Sequence, residues 1–254
     1  NNQVGGLIGS SFNSNINTSY SKGTVTGNEY VGGLIGSTNS GTIKNSYADE
    51  IVIGNNQVGG LVGKSYTGEI DTSYSIGSVT GNNSVGGLVG NAYSVAITNS
   101  YSLSSVIGND GVGGLAGLQI QGGKGSASTI SNSFSAGTVS GNTQVGGLVG
   151  RSYGRDFAPD NSTTVNSFTT SIVTGDIAVG GLIGNNTGRS FINNSWYNNV
   201  SSNSNISLGA DSFGQSVNVT QDDLTYYYIN TNSPLDLWST AKWNFSGSSL
   251  PSLK

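Results

Sequence analysis

The sequence predicts an all-β protein, a parallel β-helix (β-solenoid) of about seven three-stranded coils with a non-repeat C-terminal cap. The main observation is an internal repeat with an interval of 27 residues four times, then 33 and 34. A period in this range is typical of chains that stack one supersecondary unit. The tetrapeptide Val-Gly-Gly-Leu marks the repeats at Val4, Val31, Val58, Val85, Val112, Val145 and Val179.

Composition is the second observation. The chain of 254 residues has 41 glycines, about twice the usual frequency of roughly 7%, and only 9% charged residues against a usual ~25%. The polar positions are mostly Asn, Ser, Thr and Gly, which favour tight turns and stacked strands over helices. We expect two regions, the repeats in residues 1–197 and a capping segment in residues 198–254.

Three strand-like segments make up each repeat. The first runs from Val31 to Ile35, and the second from Ile43 to Tyr47, whose end residues share parity and are expected to face one way. The third centres on Val25 and ends at a Gly-Asn pair, where we expect a positive φ to turn the chain. Seven such coils at about 4.8 Å each predict a rod of roughly 30 Å.

Residues one repeat apart should stack into columns. A leucine column from Leu7 to Leu182, together with the valines, is expected to fill the interior, and the pairs Lys22 with Asp49 and Lys44 with Asp71 to form ion pairs between coils. An aromatic column is predicted at Tyr20, Tyr47, Tyr74, Tyr101, Phe134, Phe168 and Trp196. The residue before each aromatic forms a serine column at Ser19, Ser46, Ser73, Ser100, Ser133, Ser167 and Ser195.

The longer intervals place insertions at Leu118 to Ser128 and Arg151 to Thr163, at the corner between the first and second strands. Equivalent positions of that corner carry Phe12 and three tyrosines, and loops on a rigid scaffold often hold binding residues. The alternative, that these rings only cover the corner's own backbone, stays open. The candidate ligand- or partner-binding residues are Tyr66, Tyr93, Arg151, Tyr153, Arg155 and Phe157.

The repeat ends near Asn198. Thr220 to Asp223 has an N-cap Thr followed by acids, which predicts a helical turn at Asp222 to Tyr226. Bulky residues further on are expected to cover the last coil. These are Trp238, Trp243, Phe245 and Leu250.

The repeats resemble the GLUG family of bacterial and archaeal surface proteins over roughly residues 1–197. Matching pieces are Ile43-Lys44-Asn45-Ser46-Tyr47, Gly77-Ser78-Val79-Thr80-Gly81 and Val85-Gly86-Gly87-Leu88-Val89-Gly90. The tail is similar to the segment that often follows such repeats, through Thr220-Gln221-Asp222-Asp223-Leu224, Trp243-Asn244-Phe245 and Leu250-Pro251-Ser252-Leu253. The resemblance implies an adhesin, a large secreted protein or a non-catalytic region of a surface peptidase, although the zinc-binding helix of such peptidases needs His.

Catalysis, cofactors and metals are not expected. The chain has no His and no Cys, and the acidic pairs Asp49 with Glu50 and Glu69 with Asp71 fit surface or ion-pair positions. Calcium binding through Asp156, Asp160 or the Asp222 region would lack regular loop spacing. Two outward columns of Thr, Ser and Ile are too irregular to favour ice binding.

The net charge of −4 and the scattered basic residues exclude nucleic acid as an expected partner. No basic cluster, amphipathic helix or long apolar run predicts membrane insertion. Since the chain lacks Met, we expect a processed or excised piece. Possible glycosylation sites lie at Asn17, Asn161, Asn185, Asn193, Asn199, Asn205, Asn218 and Asn244.

We therefore expect a non-catalytic extracellular or cell-surface protein, the stalk, structural or adhesive module of an adhesin or filament. The alternative is a carbohydrate-binding module that uses the aromatic corner and the inserted loops. Expected partners are a cell-surface glycan or protein, or a second copy in head-to-tail self-association.

Overall fold

The computed structural model describes residues 2–123, 126–155, 161–198, 207–211 and 224–254. Each of seven coils contributes to three parallel sheets, so the predicted β-solenoid is confirmed. Equivalent residues pair between coils, as Val4 does with Val31. The first sheet contains Asn2–Gly5, Glu29–Gly32, Asn56–Gly59, Asn83–Gly86, Asp110–Gly113, Thr143–Gly146 and Ile177–Gly180.

The second and third sheets carry the longer strands. The second sheet contains Ile8–Asn17, Ile35–Lys44, Val62–Asp71, Val89–Thr98, Ala116–Ile120, Ser128–Ser131, Val149–Gly154, Ser162–Val165, Ile183–Gly188, Ser190–Asn193 and Leu208–Asp211. The third contains Tyr20–Thr26, Tyr47–Ile53, Tyr74–Thr80, Tyr101–Ser102, Ser105–Ile107, Phe134–Ser135, Thr138–Ser140, Phe168–Thr169, Ile172–Thr174 and Trp196–Tyr197.

Two hydrophobic cores fill the interior. One combines the leucine column with isoleucines and valines of the second sheet, and the other consists of valines of the first and third sheets. The leucine column is buried from Leu34 to Leu182, whereas Leu7 in the first coil is 53% exposed. Identical apolar contacts repeated along the rod therefore stabilise it, at about 25 cal/mol per Å² buried.

The glycine of each Gly-Asn pair has a different role from the predicted one. Gly27 and Gly54 do not have positive φ; a Cβ on Gly54 would lie 2.7 Å from Cγ2 of Val58. Glycine is needed there because the valine core packs against the backbone. The positive φ occurs instead just before the valine of each repeat, for example at Tyr30 (52°) and Gln57 (53°).

The predicted bounds of the second strand are wrong. In the second coil the strand covers Ile35–Lys44, and the chain turns at Asn45, whose φ is 50°. This left-handed residue interrupts the alternation of side chains. Ile43 consequently lies in the core, while Tyr47 belongs to a column outside it.

The serine column forms the predicted ladder. The amide of Ser46 donates to Oγ of Ser73 at 3.2 Å, and the amide of Ser73 donates to Oγ of Ser100 at 3.2 Å. The hydroxyl of Ser100 in turn donates to the carbonyl of Thr98 at 2.7 Å. Each buried serine thus satisfies backbone groups of two coils.

One of the two predicted ion pairs is present. Nζ of Lys22 lies 2.8 Å from Oδ2 of Asp49. Lys44 is the register partner of Asp71 but pairs with Glu69 at 2.9 Å. Asp71 is engaged by Lys242 instead, so the register was predicted correctly and the second ion pair was not.

Within the C-terminal segment, Leu208–Asp211 extends the second sheet beyond the seventh coil, and residues 224–254 lie along the side of the rod. The latter residues contain 3₁₀ helices at Leu224–Tyr228 and Leu235–Leu237 and an antiparallel pair of strands, Trp243–Asn244 with Ser252–Leu253. The ring of Tyr227 stacks on Phe168 at 4.6 Å, and that of Trp243 lies 6.0 Å from Tyr101.

A cap on the last coil was predicted from Trp238, Trp243, Phe245 and Leu250, but these residues pack against the outward aromatic column of the fourth to seventh coils. Packing on these outward rings removes their apolar surface from water, which favours this position of the segment. The predicted N-cap at Thr220 to Asp223 lies outside the described residues. The division of the chain at residue 197 stays a prediction.

Candidate ligand-binding surface

An aromatic row runs along the second sheet. Tyr66 pairs in register with Tyr93, and Ile120 separates Tyr93 from Tyr153. These residues lie within strands of the second sheet, so their predicted position at the corner between the first and second strands is wrong. The strand bends just after the aromatic position, where Thr67 has a φ of 90°.

The structure brings five of the six predicted binding residues onto this row. The rings of Tyr66 and Tyr93 stack with centroids 4.4 Å apart. The guanidinium carbons of Arg155 and Arg151 lie 5.9 Å from the ring of Tyr93 and 5.6 Å from that of Tyr153, respectively. The sixth residue, Phe157, lies outside the described residues.

Tyr93 also has a structural role. Its hydroxyl donates to the carbonyl of Gly122 at 2.8 Å, and the amide of Gly122 donates to Oγ of Ser94 at 2.7 Å. Burial raises the pKa of the Tyr93 hydroxyl, contact with Tyr66 adds to this, and the charge of Arg155 offsets part of it. Tyr93 therefore holds the first inserted loop in place, whereas Tyr66 remains 41% exposed.

The two inserted loops are adjacent at their bases, as predicted. The amide of Gln121 donates to the carbonyl of Tyr153 at 3.0 Å, and the amide of Arg155 donates to Oε1 of Gln121 at 2.8 Å. The buried side-chain amide of Gln119 donates to Ser128 O of its own coil at 3.0 Å and to Thr163 O of the next coil at 3.1 Å, and so joins the two coils. The strands on either side end at Ile120 and Gly154 and resume at Ser128 and Ser162, so the predicted insertions overlap the strands at both ends.

A cleft of about 440 Å³ opens on the same surface, next to Tyr66. Sequence reasoning did not find it, although one signal was available: Asn39 interrupts the aromatic row between Phe12 and Tyr66. The polar lining includes Lys64, whose Nζ lies 4.9 Å from the ring centroid of Tyr30. The cleft is lined by Gln3, Ser10, Ser11, Phe12, Tyr30, Ser37, Asn39, Lys64 and Tyr66.

Acidic residues do not converge at this surface. Within the described ranges, no group of three or more His, Cys, Asp or Glu is placed to hold a metal ion. Asp49, Glu69 and Asp71 each face a lysine, and Glu50 points into the rod near Gly6 and Gly33. Asp156, Asp160 and Asp222 lie outside the described residues.

The possible glycosylation sites differ in exposure. Asn17, Asn193 and Asn244 are exposed, and Asn161 and Asn185 are half-buried. Three further sites lie outside the described residues, namely Asn199, Asn205 and Asn218. Glycosylation at any of these positions stays a prediction.

Comparison with known proteins agrees with the architecture. The chain is similar in structure to a "putative immunoglobulin A1 protease" from Bacteroides ovatus, with a TM-score of 0.53 and 19% sequence identity over 84% of this chain and 77% of that chain. At this identity, the similarity concerns the fold. Among curated proteins, none matches the chain in sequence. No helix in the described parts has the length and hydropathy to cross a membrane.

The GLUG motif matches residues 1–26, 27–53 and 54–80. These three segments coincide with the first three coils, each of which contributes one strand to every sheet. The register of those coils continues into the following four. The first three coils are therefore GLUG repeats.

Proposed function

We propose that the chain is a non-catalytic extracellular module that serves as a stalk or adhesive element of a surface protein or filament. The observation that supports this most is the unbroken register of three sheets over seven coils. Such a rod keeps a fixed length and presents the same side chains repeatedly along one face. The GLUG repeats support the extracellular location.

Head-to-tail self-association is part of the proposal. Leu7 is 53% exposed, whereas the equivalent Leu34 is fully buried. A coil stacked on this leucine would bury apolar surface and pair open strand edges. A second copy of the chain would supply such a coil.

Beads offer a test of adhesion and self-association together. The chain has no Cys, so a single added C-terminal Cys would attach every molecule in one orientation. We expect the beads to adhere to mucin-coated surfaces or to surfaces coated with the chain itself. Adhesion to neither surface, or hydrolysis of casein or polysaccharide by the purified chain, would contradict the proposal. Electron microscopy of the purified chain, together with its mass in solution, would distinguish filaments from monomers.

Carbohydrate binding at the aromatic row is the second candidate function. It is favoured by the exposed ring of Tyr66, stacked on Tyr93 beside Arg155. Sugar rings stack on such aromatic faces through their apolar C–H surface. A glycan array is expected to show specific binding that the double substitution Tyr66→Ala with Tyr93→Ala abolishes. Binding that persists in this variant would remove the row from consideration.

A further inference from the structure

The cleft is a gap in an otherwise stacked column. Phe12 and Asn39 are register partners, and Tyr66 follows Asn39 after a further 27 residues. Phe12 and Tyr66 are therefore two strand spacings apart, roughly 9.6 Å. Tyr66 and Tyr93, which are one spacing apart, stack at 4.4 Å. The space above Asn39 consequently has the thickness of one inserted ring.

A second gap of the same kind is filled. Ile120 separates Tyr93 from Tyr153, and Arg155 also lies over the ring of Tyr93. At Asn39 the short amide leaves a volume of about 440 Å³, with Phe12 and Tyr66 both on its lining. Of these two gaps in the aromatic row, the one at Asn39 is therefore open and the one at Ile120 is filled.

Polar groups line the remaining sides. Gln3, Ser10, Ser37 and Asn39 offer amides and hydroxyls, which are suited to hydrogen bonds with sugar hydroxyls. Phe12 is 74% exposed and can present its ring to a ligand. An aromatic side chain of a protein partner would leave these polar groups without partners, so a polyhydroxylated ring fits better.

Lys64 adds a positive charge at the cleft. Among the described residues, the lysines that form ion pairs are Lys22, Lys44 and Lys242, so Lys64 has no acidic partner there. Its ammonium lies 4.9 Å from the ring of Tyr30, which keeps it beside the opening. A carboxylate on the ligand would complement this charge.

We infer that the cleft between Phe12 and Tyr66 binds an acidic pyranose, with the sugar ring in the gap above Asn39 and its carboxylate on Lys64. The inference rests on the second proposed function and adds a ligand class and a location to it. It involves side chains of coils 1 to 3 only and does not depend on Arg151 or Tyr153.

Titration of the full chain with matched acidic and neutral sugars tests the inference. The probes are tetragalacturonate against cellotetraose and sialyllactose against lactose, at low salt. We expect at least one acidic probe to bind at least tenfold more tightly than its neutral match. Asn39→Tyr, which fills the gap, should weaken binding at least tenfold, and Lys64→Met should remove the preference for the acid. Tyr20→Ala removes an exposed ring of the first coil that lies on the third sheet, away from the cleft. It is the matched control and should bind as the unchanged chain does.

Several results would overturn the inference. The inference is wrong if neither acidic probe binds at millimolar concentration or if acidic and neutral probes bind equally. It is also wrong if Asn39→Tyr retains the binding of the unchanged chain within twofold. Loss of binding in Tyr153→Ala alone would move the sugar to the aromatic row. Specific binding of neutral glycans alone would overturn the inference and leave the second proposed function standing, whereas no binding to any glycan on the array would overturn both. The adhesive role is tested separately in the bead assay.

Discussion

Nζ of Lys242 lies 2.7 Å from Oδ1 and 2.8 Å from Oδ2 of Asp71, although 171 residues separate the two in the chain. The carboxylate also accepts hydrogen bonds from Thr98 Oγ1 at 2.9 Å and Asn99 Nδ2 at 2.8 Å. The C-terminal segment is thereby tied to the third coil while its aromatic residues cover the fourth to seventh. Asp71 thus joins the repeat to the non-repeat part.

The substitution Lys242→Met should loosen this connection. Because Asp71 is buried and would lose its charged partner, we expect the free energy of unfolding to fall by about 1–2 kcal/mol. Limited proteolysis should cleave the segment after residue 224 faster. Lys22→Met removes the exposed pair with Asp49 and is the control; an equal loss of stability in both variants would contradict a special role for Lys242.

Removing one hydroxyl of the serine ladder should destabilise the rod. Ser100→Ala deprives the buried amide of Ser73 of its acceptor, which costs about 1–3 kcal/mol. Chemical denaturation measures the change. Ser19→Ala is the control, since its hydroxyl donates to Asn17 O at an exposed position. A Ser100 variant as stable as the Ser19 variant would show that the ladder does not stabilise the coils.

The close packing at Gly54 makes a third prediction. An alanine Cβ there would lie 2.7 Å from Cγ2 of Val58 and 2.9 Å from that of Val31. Such overpacking costs about 1–3 kcal/mol, so Gly54→Ala should lower the melting temperature. Gly123→Ala, with no atom within 4 Å of the new Cβ, should leave it unchanged. Equal melting temperatures would mean that the valine core adjusts freely.

Glu50 should make stability depend on pH. The residue is 4% exposed, and its Oε2 has no hydrogen-bond partner. Burial raises its pKa, the nearby Ser21 hydroxyl lowers it in part, and the charge of Asp49 raises it further. Because the folded state binds this proton more tightly than the unfolded state, its contribution is fully present below the ordinary pKa of 4.5 and is lost as pH rises through the raised pKa.

Glu50→Gln removes this titration. We therefore expect the variant to be more stable than the unchanged chain at pH 7 and the difference to shrink as the pH falls towards 4. Thermal unfolding between pH 4 and 8 measures it. A difference that does not change with pH would indicate that the Glu50 carboxyl is not the responsible group.

Much of the rod was predictable because the period of the sequence determines the register between coils. Valines such as Val31 recur at one interval, and identical buried residues can stack only if the coils are in register. The interior leucines, the serine ladder and the pair Lys22 with Asp49 follow from the same rule.

Other features depend on contacts that cannot be predicted from the period of the sequence. The left-handed backbone of Asn45 decides that Tyr47 faces outward, and a period of 27 residues is compatible with either direction. The partner of Asp71 comes from the distant Lys242, so it could not be chosen from the repeat. The cleft depends on Asn39, the residue that interrupts the aromatic row between Phe12 and Tyr66.

The register over all coils is the central claim, and a distance between two spin labels tests it most directly. Labels at Thr26→Cys and Thr174→Cys occupy equivalent exposed positions five strand spacings apart along the third sheet, so we predict a backbone separation of about 24 Å. A second pair at Thr26 and Ser140 should be shorter by about 5 Å. Narrow distributions at these values would show that both insertions loop out and leave the coils in register. A broad distribution, or a separation that grows with the inserted residues, would contradict the account.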